Sequence, residues 1–205
     1  METQIISAKH DHSIQIALDV IRKGGLVAFP TDTVYGLGVN VFNWEAIGKL
    51  FIAKGRDFNK AIAVLVGNPK QLHTVAAGIP ESAMQLAARF WPGALTIVVE
   101  RSKNLPDNLS LLPTVGVRMP NHPFALELLQ SAGALATTSA NLSGGENTVT
   151  AQEVYDQLAG KVDLIIDGGT CPGGVPSTVV DCTSPTLRVL RTGAISKDEL
   201  SAWLS

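Results

Sequence analysis

The spacing of apolar residues changes along the chain, and each change marks an element. In residues 13–22, Ile14, Ala17, Leu18 and Ile21 recur at the spacing of one helix face. Gly24-Gly25 stops that helix, and Leu26-Val27-Ala28-Phe29 reads as a buried strand closed by Pro30. A second helix runs from an Asn43 cap through Lys54, with Ala46, Leu50 and Phe51 inward and Gly55 suited to its C-terminal cap. Residues 61–66 form a continuous apolar run, the pattern of a strand covered on both faces. Further helices are predicted at 81–90, 122–132, 151–159 and 196–204, and further strands at 94–100, 114–119, 134–138, 163–167, 177–182 and 187–191. A Pro-, Leu-, Asn- and Ser-rich loop over 102–113 interrupts the series. Interleaved strands and helices argue for an α/β or mixed α+β chain, a twisted sheet flanked by helices. No repeat or linker divides it, so residues 1–205 are expected to form a single domain.

Some strands carry polar residues where the alternation of faces makes them informative. In Thr114-Val115-Gly116-Val117-Arg118 the valines can face a core, so Thr114 and Arg118 emerge together on the other side, around a glycine that leaves room for something to approach. In Ser139-Ala140-Asn141 the two polar side chains likewise point together, and Lys54-Gly55-Arg56 leaves its helix with both cations aimed to one side, outside the core. Arg188 and Arg191 bracket the last strand. Each also has a structural explanation: a solvated edge, a turn, or a cation at a helix end.

Composition narrows the classes. With 205 residues, 45% hydrophobic and 17% charged, the chain can bury a large core without staples and is not dominated by disorder. A net charge of −2 argues against a surface that grips nucleic acid throughout, so any basic site must be local. Cys171 and Cys182 form no Cys-x-x-Cys pair, and His10-Asp11-His12 lacks a third ligand, which leaves no metal site in the sequence. Gly144-Gly145, Gly168-Gly169 and Gly173-Gly174 lack the context of a dinucleotide or P-loop site. Met1-Glu2-Thr3-Gln4 opens no signal peptide and no apolar run is long enough to span a bilayer, so the expectation is a cytoplasmic protein without a membrane segment.

Taken in order, the motifs resemble one family. The run Gly24-Gly25-Leu26-Val27-Ala28-Phe29-Pro30-Thr31-Asp32-Thr33-Val34-Tyr35-Gly36-Leu37-Gly38 is similar to the opening signature of YrdC-type threonylcarbamoyl-AMP synthases. Lys54-Gly55-Arg56 resembles their Lys-x-Arg motif and Ser139-Ala140-Asn141 their Ser-x-Asn motif. Pro176-Ser177-Thr178-Val179-Val180-Asp181 and Val189-Leu190-Arg191-Thr192-Gly193 resemble two late motifs, so the likeness covers nearly the whole chain. It implies one α/β domain whose twisted mixed sheet curves around a large concave site. The implied reaction joins L-threonine, bicarbonate and ATP into threonylcarbamoyl-AMP and pyrophosphate. A downstream tRNA threonylcarbamoyl-transferase complex would then use the product on tRNAs that read ANN codons, with weak tRNA binding by the chain itself.

The resemblance also implies roles. Lys54 and Arg56 would be catalytic; Arg56, Lys60, Thr114, Asn141 and Arg191 would bind ATP, with Mg²⁺ on its phosphates. Thr33, Arg118, Ser139 and Ser177 would bind threonine, the Arg118 fork gripping its carboxylate. Residues 144–150, residues 171–176, or both would cover the site. Three departures stand out: Leu65 replaces a histidine that contacts threonine in some members, Asp57 replaces the proline after the motif arginine, and Asn147-Thr148-Val149 replaces a Ser-Pro-Thr stretch. Two rival readings are a concave basic RNA-binding module and a carbamoyl-adenylate-forming domain. An aromatic content of 5% with no regular interleaving opposes the first. The second belongs to proteins with zinc-finger and acylphosphatase modules, which this chain does not contain.

Overall fold

The computed structural model describes residues 2–200 and Trp203. In chain order the elements are β1 (Gln4–Ser7), α1 (Ser13–Arg22), β2 (Val27–Phe29), β3 (Gly36–Asn40), α2 (Trp44–Lys54), β4 (Ala63–Leu65), α3 (Leu72–Val75), β5 (Ala76–Gly78), α4 (Glu81–Phe90), β6 (Leu95–Arg101), β7 (Thr114–Arg118), α5 (Pro123–Ala132), β8 (Leu135–Ser139), α6 (Ala151–Leu158), β9 (Leu164–Asp167), β10 (Thr178–Asp181), β11 (Arg188–Arg191) and α7 (Lys197–Leu200). Short 3₁₀ turns occupy Pro69–Gln71 and Asp107–Leu109. Among the described residues the strands make one mixed sheet in the order β1-β9-β2-β3-β8-β4-β7-β6-β10-β11, with β5 added beside β6. The α/β expectation holds.

The pleat divides this sheet into two faces with different fates. One face is dry along its length: Ala28, Leu37, Val64, Ile97, Val117, Ala136 and Val180 pack beneath α2, α4 and α6. On the other face α1 and α5 cover only part, over Val27, Phe29, Leu65, Leu135, Leu164 and Ile166. The rest of that face, across β3, β8, β4, β7, β6 and β10, is left as a concavity.

Local sequence accounts for most element ends. The Asn43 side chain accepts from Ala46 N at 3.0 Å, and Gly55 ends α2 in the left-handed region at φ 58°, where a side chain would be strained. A capping box closes the start of α6, between Thr150 and Glu153.

Other elements are not written in the local pattern. β3 lies within the run that resembles the family's opening signature and carries no strand pattern of its own, yet Gly36 and Gly38 are strand residues packed under Phe29. A Cβ at Gly38 would meet Phe29 Cε1 at 2.8 Å, so close packing requires glycine where strand propensity alone disfavours it. β1 and β5 were not predicted either; β1 is a mostly exposed edge that pairs with β9. The 102–113 loop is more structured than its composition implies, because Leu105 and Leu109 are buried in the main core. Of the helix expected at 196–204, only Lys197–Leu200 is seen as α-helix; residues 201, 202, 204 and 205 lie outside the described residues.

Phe29 is fully buried between the strand glycines and the α1/α5 layer. Phe29→Ala is expected to cost about 3–5 kcal/mol, the range for removing a buried aromatic ring. The urea midpoint, measured with the slope of the transition, checks it.

Candidate active site

The concavity is a cavity of about 440 Å³, within the range of small-molecule sites. Its floor is the polar side of the central strands. Thr114, Gly116 and Arg118 come from β7, Thr96 and Val98 from β6, Thr137 and Ser139 from β8, and Ala63 and Leu65 from β4. Val115 and Val117 face the opposite core, as their alternation predicts. A Cβ on Gly116 would sit 3.1 Å from Thr96 Cγ2, so glycine there keeps the floor low. Thr33, Arg56, Asn147, Ser177 and Arg191 reach in from the walls, whereas the Tyr35 side chain is buried in the main core.

Arg118 is 7% exposed and hydrogen-bonded on several sides. Its Nε donates to Gly93 O at 2.9 Å, its Nη1 to Thr33 Oγ1 at 2.8 Å, and its Nη2 pairs with Asp32. Burial pulls this guanidinium below its ordinary pKa, and the Asp32 charge opposes that shift. Thr33 is fixed in turn by Thr31 Oγ1 at 3.1 Å, which itself donates to Val34 O at 2.7 Å. Across the cavity Arg191 donates through Nε and Nη2 to Ser177 O at 3.1 and 2.8 Å, and Ser177 Oγ lies 2.8 Å from Thr96 Oγ1. Strand pairing sets Val179 beside both Arg191 and Thr96, on the stretch of sheet that leads to Arg118.

Arg56 approaches from the other end of β7. Its Nη2 donates to Ala61 O at 2.9 Å and its Nε to Lys60 O at 3.4 Å. Burial lowers the pKa of Arg56 and Arg191, and among the described residues neither guanidinium has a carboxylate partner. The described lining includes these three arginines and no acidic residue. The cavity therefore holds two uncompensated cations and one compensated by Asp32.

Several expectations change. Lys54 does not project from the helix end. It is 2% exposed and donates inward to Ser139 O and Asn141 O, while Ser143 N donates to Lys54 O at 2.9 Å. The expectation that it lies outside the core fails because the 139–143 segment folds over the end of α2. Asn141 is also turned away from the cavity: its Nδ2 donates to Leu142 O at 2.8 Å and Gly145 O at 2.9 Å, so it shapes the loop that follows β8. The Lys60 side chain is exposed and outside the lining; only its carbonyl serves the site, by accepting from Arg56. Thr33, Arg56, Thr114, Arg118, Ser139, Ser177 and Arg191 are brought together around the cavity as expected. Ser139 sits beyond Thr137, the partner of Ala63, on the side from which Arg56 enters. Leu65 does line the cavity, as an apolar part of its floor.

No role follows from the motifs for Asp32 or for Thr96. An acid beside Thr33 just after a buried strand was the available signal for Asp32. Thr96 carried a weaker one, a hydroxyl alternating with Leu95 and Ile97. Among the described residues no group of three or more His, Cys, Asp or Glu is arranged to hold a metal. The hydroxyl-rich, carboxylate-free lining fits a Mg²⁺ that arrives on phosphate groups and keeps them as ligands.

The sequence pattern of the Sua5/YciO/YrdC family, described as telomere recombination, matches residues 19–193. The chain belongs to the Sua5/YciO/YrdC family. This family member is 43% identical over 189 residues to the Threonylcarbamoyl-AMP synthase of Pyrococcus abyssi, a match covering 91% of the chain and 56% of that protein. It is 41% identical over 199 residues to the Threonylcarbamoyl-AMP synthase of Bacillus subtilis, covering 94% and 57%. The chain thus spans a little over half the length of these two curated relatives. The crystal structure of P. abyssi Sua5 complexed with L-threonine superposes with a TM-score of 0.95 at 39% identity, over all of this chain and 61% of that one. No described helix is long and apolar enough to cross a membrane.

The burial of Lys54 has a consequence for pH. Desolvation first, and then the Arg56 charge, bring its ammonium down from 10.5 to about 7. Between about pH 7 and 10.5 the unfolded chain binds the proton that the folded chain has lost, so stability from this group rises with pH across that window. Below pH 7 that gain is absent. Lys54→Met keeps the packing of the stem but has no such slope. The melting-temperature advantage of the unaltered chain over Lys54→Met is expected to widen from pH 6.5 to pH 9; a constant difference would mean that Lys54 stays charged.

Proposed function

We propose that the chain is an L-threonylcarbamoyl-AMP synthase, a nucleotidyl-transferring enzyme that forms threonylcarbamoyl-AMP and pyrophosphate from L-threonine, bicarbonate and ATP. One observation carries this reading: a single cavity combines two uncompensated guanidiniums, Arg56 and Arg191, with a third, Arg118, balanced by a carboxylate. The first two suit a polyanion such as a triphosphate. The third suits the carboxylate of a zwitterion, which needs directed hydrogen bonds more than net charge. The names of the relatives and the threonine complex of P. abyssi Sua5 support the same assignment.

In this mechanism Arg118, Thr33 and Ser177 orient threonine. Once the ammonium has lost a proton to solvent, the uncharged amine adds to CO₂; the proton then released from nitrogen joins the hydroxide left by bicarbonate as water, and a carbamate results. A carbamate oxygen then attacks the α-phosphorus, the bond from that phosphorus to the bridging oxygen breaks, and pyrophosphate leaves. No side chain in the lining pairs as nucleophile and base. The protein contributes alignment and charge: Arg56 and Arg191 stabilise the phosphate oxygens, and Thr114 adds a neutral hydrogen bond to the nucleotide. A Mg²⁺ carried on the phosphate oxygens of ATP would supply further neutralisation beside Arg56 and Arg191. Lys54 and Asn141 act from outside the cavity by holding the end of β8, where Ser139 sits, and the loop that follows it. Both the carbamate and the mixed anhydride hydrolyse readily, so shelter from water favours product. The product then passes to a tRNA threonylcarbamoyl-transferase complex, with at most weak tRNA binding here, in the cytoplasm.

Pyrophosphate release is expected to require ATP, threonine and bicarbonate together, with mass analysis showing the threonylcarbamoyl adenylate. Equal release without threonine would sink the reading, and a carbamoyl adenylate without threonine would point to the related carbamoyl chemistry.

The two kinds of arginine are expected to separate kinetically. Arg56→Ala should lower kcat about 10²–10³-fold, by analogy with removal of one preorganised donor. Its melting temperature should change little, because its partners are carbonyls at the cavity edge. Arg118→Lys should raise the threonine KM and leave the ATP KM nearly unchanged, since it keeps the charge but loses the fork.

A further inference from the structure

We propose that Asp32 is a positioning residue: it holds and balances the Arg118 guanidinium so that its unused N–H groups receive an amino-acid carboxylate and do not draw phosphate. The inference rests on reading the cavity as a joint amino-acid and nucleotide site. Asp32 is not among the residues that line the cavity, yet it pairs with Arg118, which is. Its Oδ1 pairs with Nη2, while Nε is bound to Gly93 O at 2.9 Å and Nη1 to Thr33 Oγ1 at 2.8 Å. Contacts at all three nitrogens leave the guanidinium plane no free rotation. They consume one N–H on each nitrogen, so each terminal nitrogen keeps one for a ligand.

Charge gives Asp32 a second effect. The side chains of Arg118 and Asp32 are only 8% and 14% exposed, so solvent screens their pairing little. Arg56 and Arg191 donate to carbonyl or hydroxyl oxygens and keep their full attraction for anions. Three arginines in one cavity would otherwise compete for the same triphosphate. Balancing one of them sorts the two anionic groups of the substrates, with carboxylate at Arg118 and phosphate at the others.

The test uses Asp32→Asn, which keeps size and an acceptor oxygen but removes the charge, with Asp32→Glu as a second variant should Asn fail to fold. Threonine and ATP are titrated separately by calorimetry. Threonine affinity is expected to fall about tenfold or more, the scale of one charge-assisted hydrogen bond, with ATP affinity within about twofold. Inorganic pyrophosphate is expected to compete weakly with threonine for the unaltered chain and more strongly in Asp32→Asn. In an Arg118→Ala background, Asp32→Ala should have no further effect on threonine. An equal loss of ATP affinity, or an undiminished effect in that background, would overturn the proposal.

NMR of the Arg118 side chain supplies a readout that needs no substrate. The unaltered chain should show distinct, slowly rotating terminal N–H groups that average together in Asp32→Asn. If the signature changes as expected but the unaltered chain binds no threonine, the functional reading fails and the positioning role stands. If threonine binds and the signature is unchanged, the positioning role fails.

Discussion

A guanidinium at 7% exposure has to be satisfied by the protein around it, and the candidate site is arranged by that requirement. Removing such a charge from water costs several kcal/mol unless its hydrogen-bonding groups are matched. Asp32, Thr33 and Gly93 supply the match from two loops that are distant in sequence from β7. Pinning Arg118 therefore also pins the loop after β2 over the sheet. The same bonds that make the buried charge tolerable form one wall of the cavity.

That wall encloses space only because the sheet is covered unequally. On the dry face, aliphatic side chains from nearly every central strand meet α2, α4 and α6. On the other face α1 and α5 stop short, and the strands beyond them present Thr96, Thr114, Arg118 and Thr137 instead of aliphatic side chains. Strand alternation lets one β7 backbone serve both purposes, with Val115 and Val117 in the core and Thr114 and Arg118 in the cavity. A rigid floor follows, since each floor residue is anchored by a buried neighbour on its own strand. Such an arrangement suits a reaction in which alignment of substrates matters more than any single reactive side chain.

Lys54 and Asn141 contribute through the backbone. Lys54 gathers the carbonyls of Ser139 and Asn141, and the Asn141 amide gathers those of Leu142 and Gly145. Two motifs that look like substrate-binding cations and amides instead form a knot joining the end of α2 to the end of β8. Arg56 follows Lys54 by two residues and emerges from this knot into the cavity. Its direction thus depends on the burial of its neighbour.

Local features are legible in the amino-acid pattern. The faces of β7, the Asn43 and Gly55 ends of α2 and the apolar stripe of α1 all follow from backbone periodicity and short-range capping. Those rules act within a few residues, so they are legible without the fold. The family motifs extended that reach, naming seven residues that do meet around one cavity. Tertiary structure alone decided how the remaining polar groups are used. The partners of Lys54 lie 85 and 87 residues away, and Asp32 and Thr33 meet Arg118 across 86 and 85. Nothing near Lys54 in the chain reveals that a distant loop will cover it, and a glycine-rich stretch becomes β3 only because Phe29 needs the space above it. Periodicity sets the direction in which a side chain leaves the backbone, but burial depends on which distant segment arrives there, and that is a property of the folded chain.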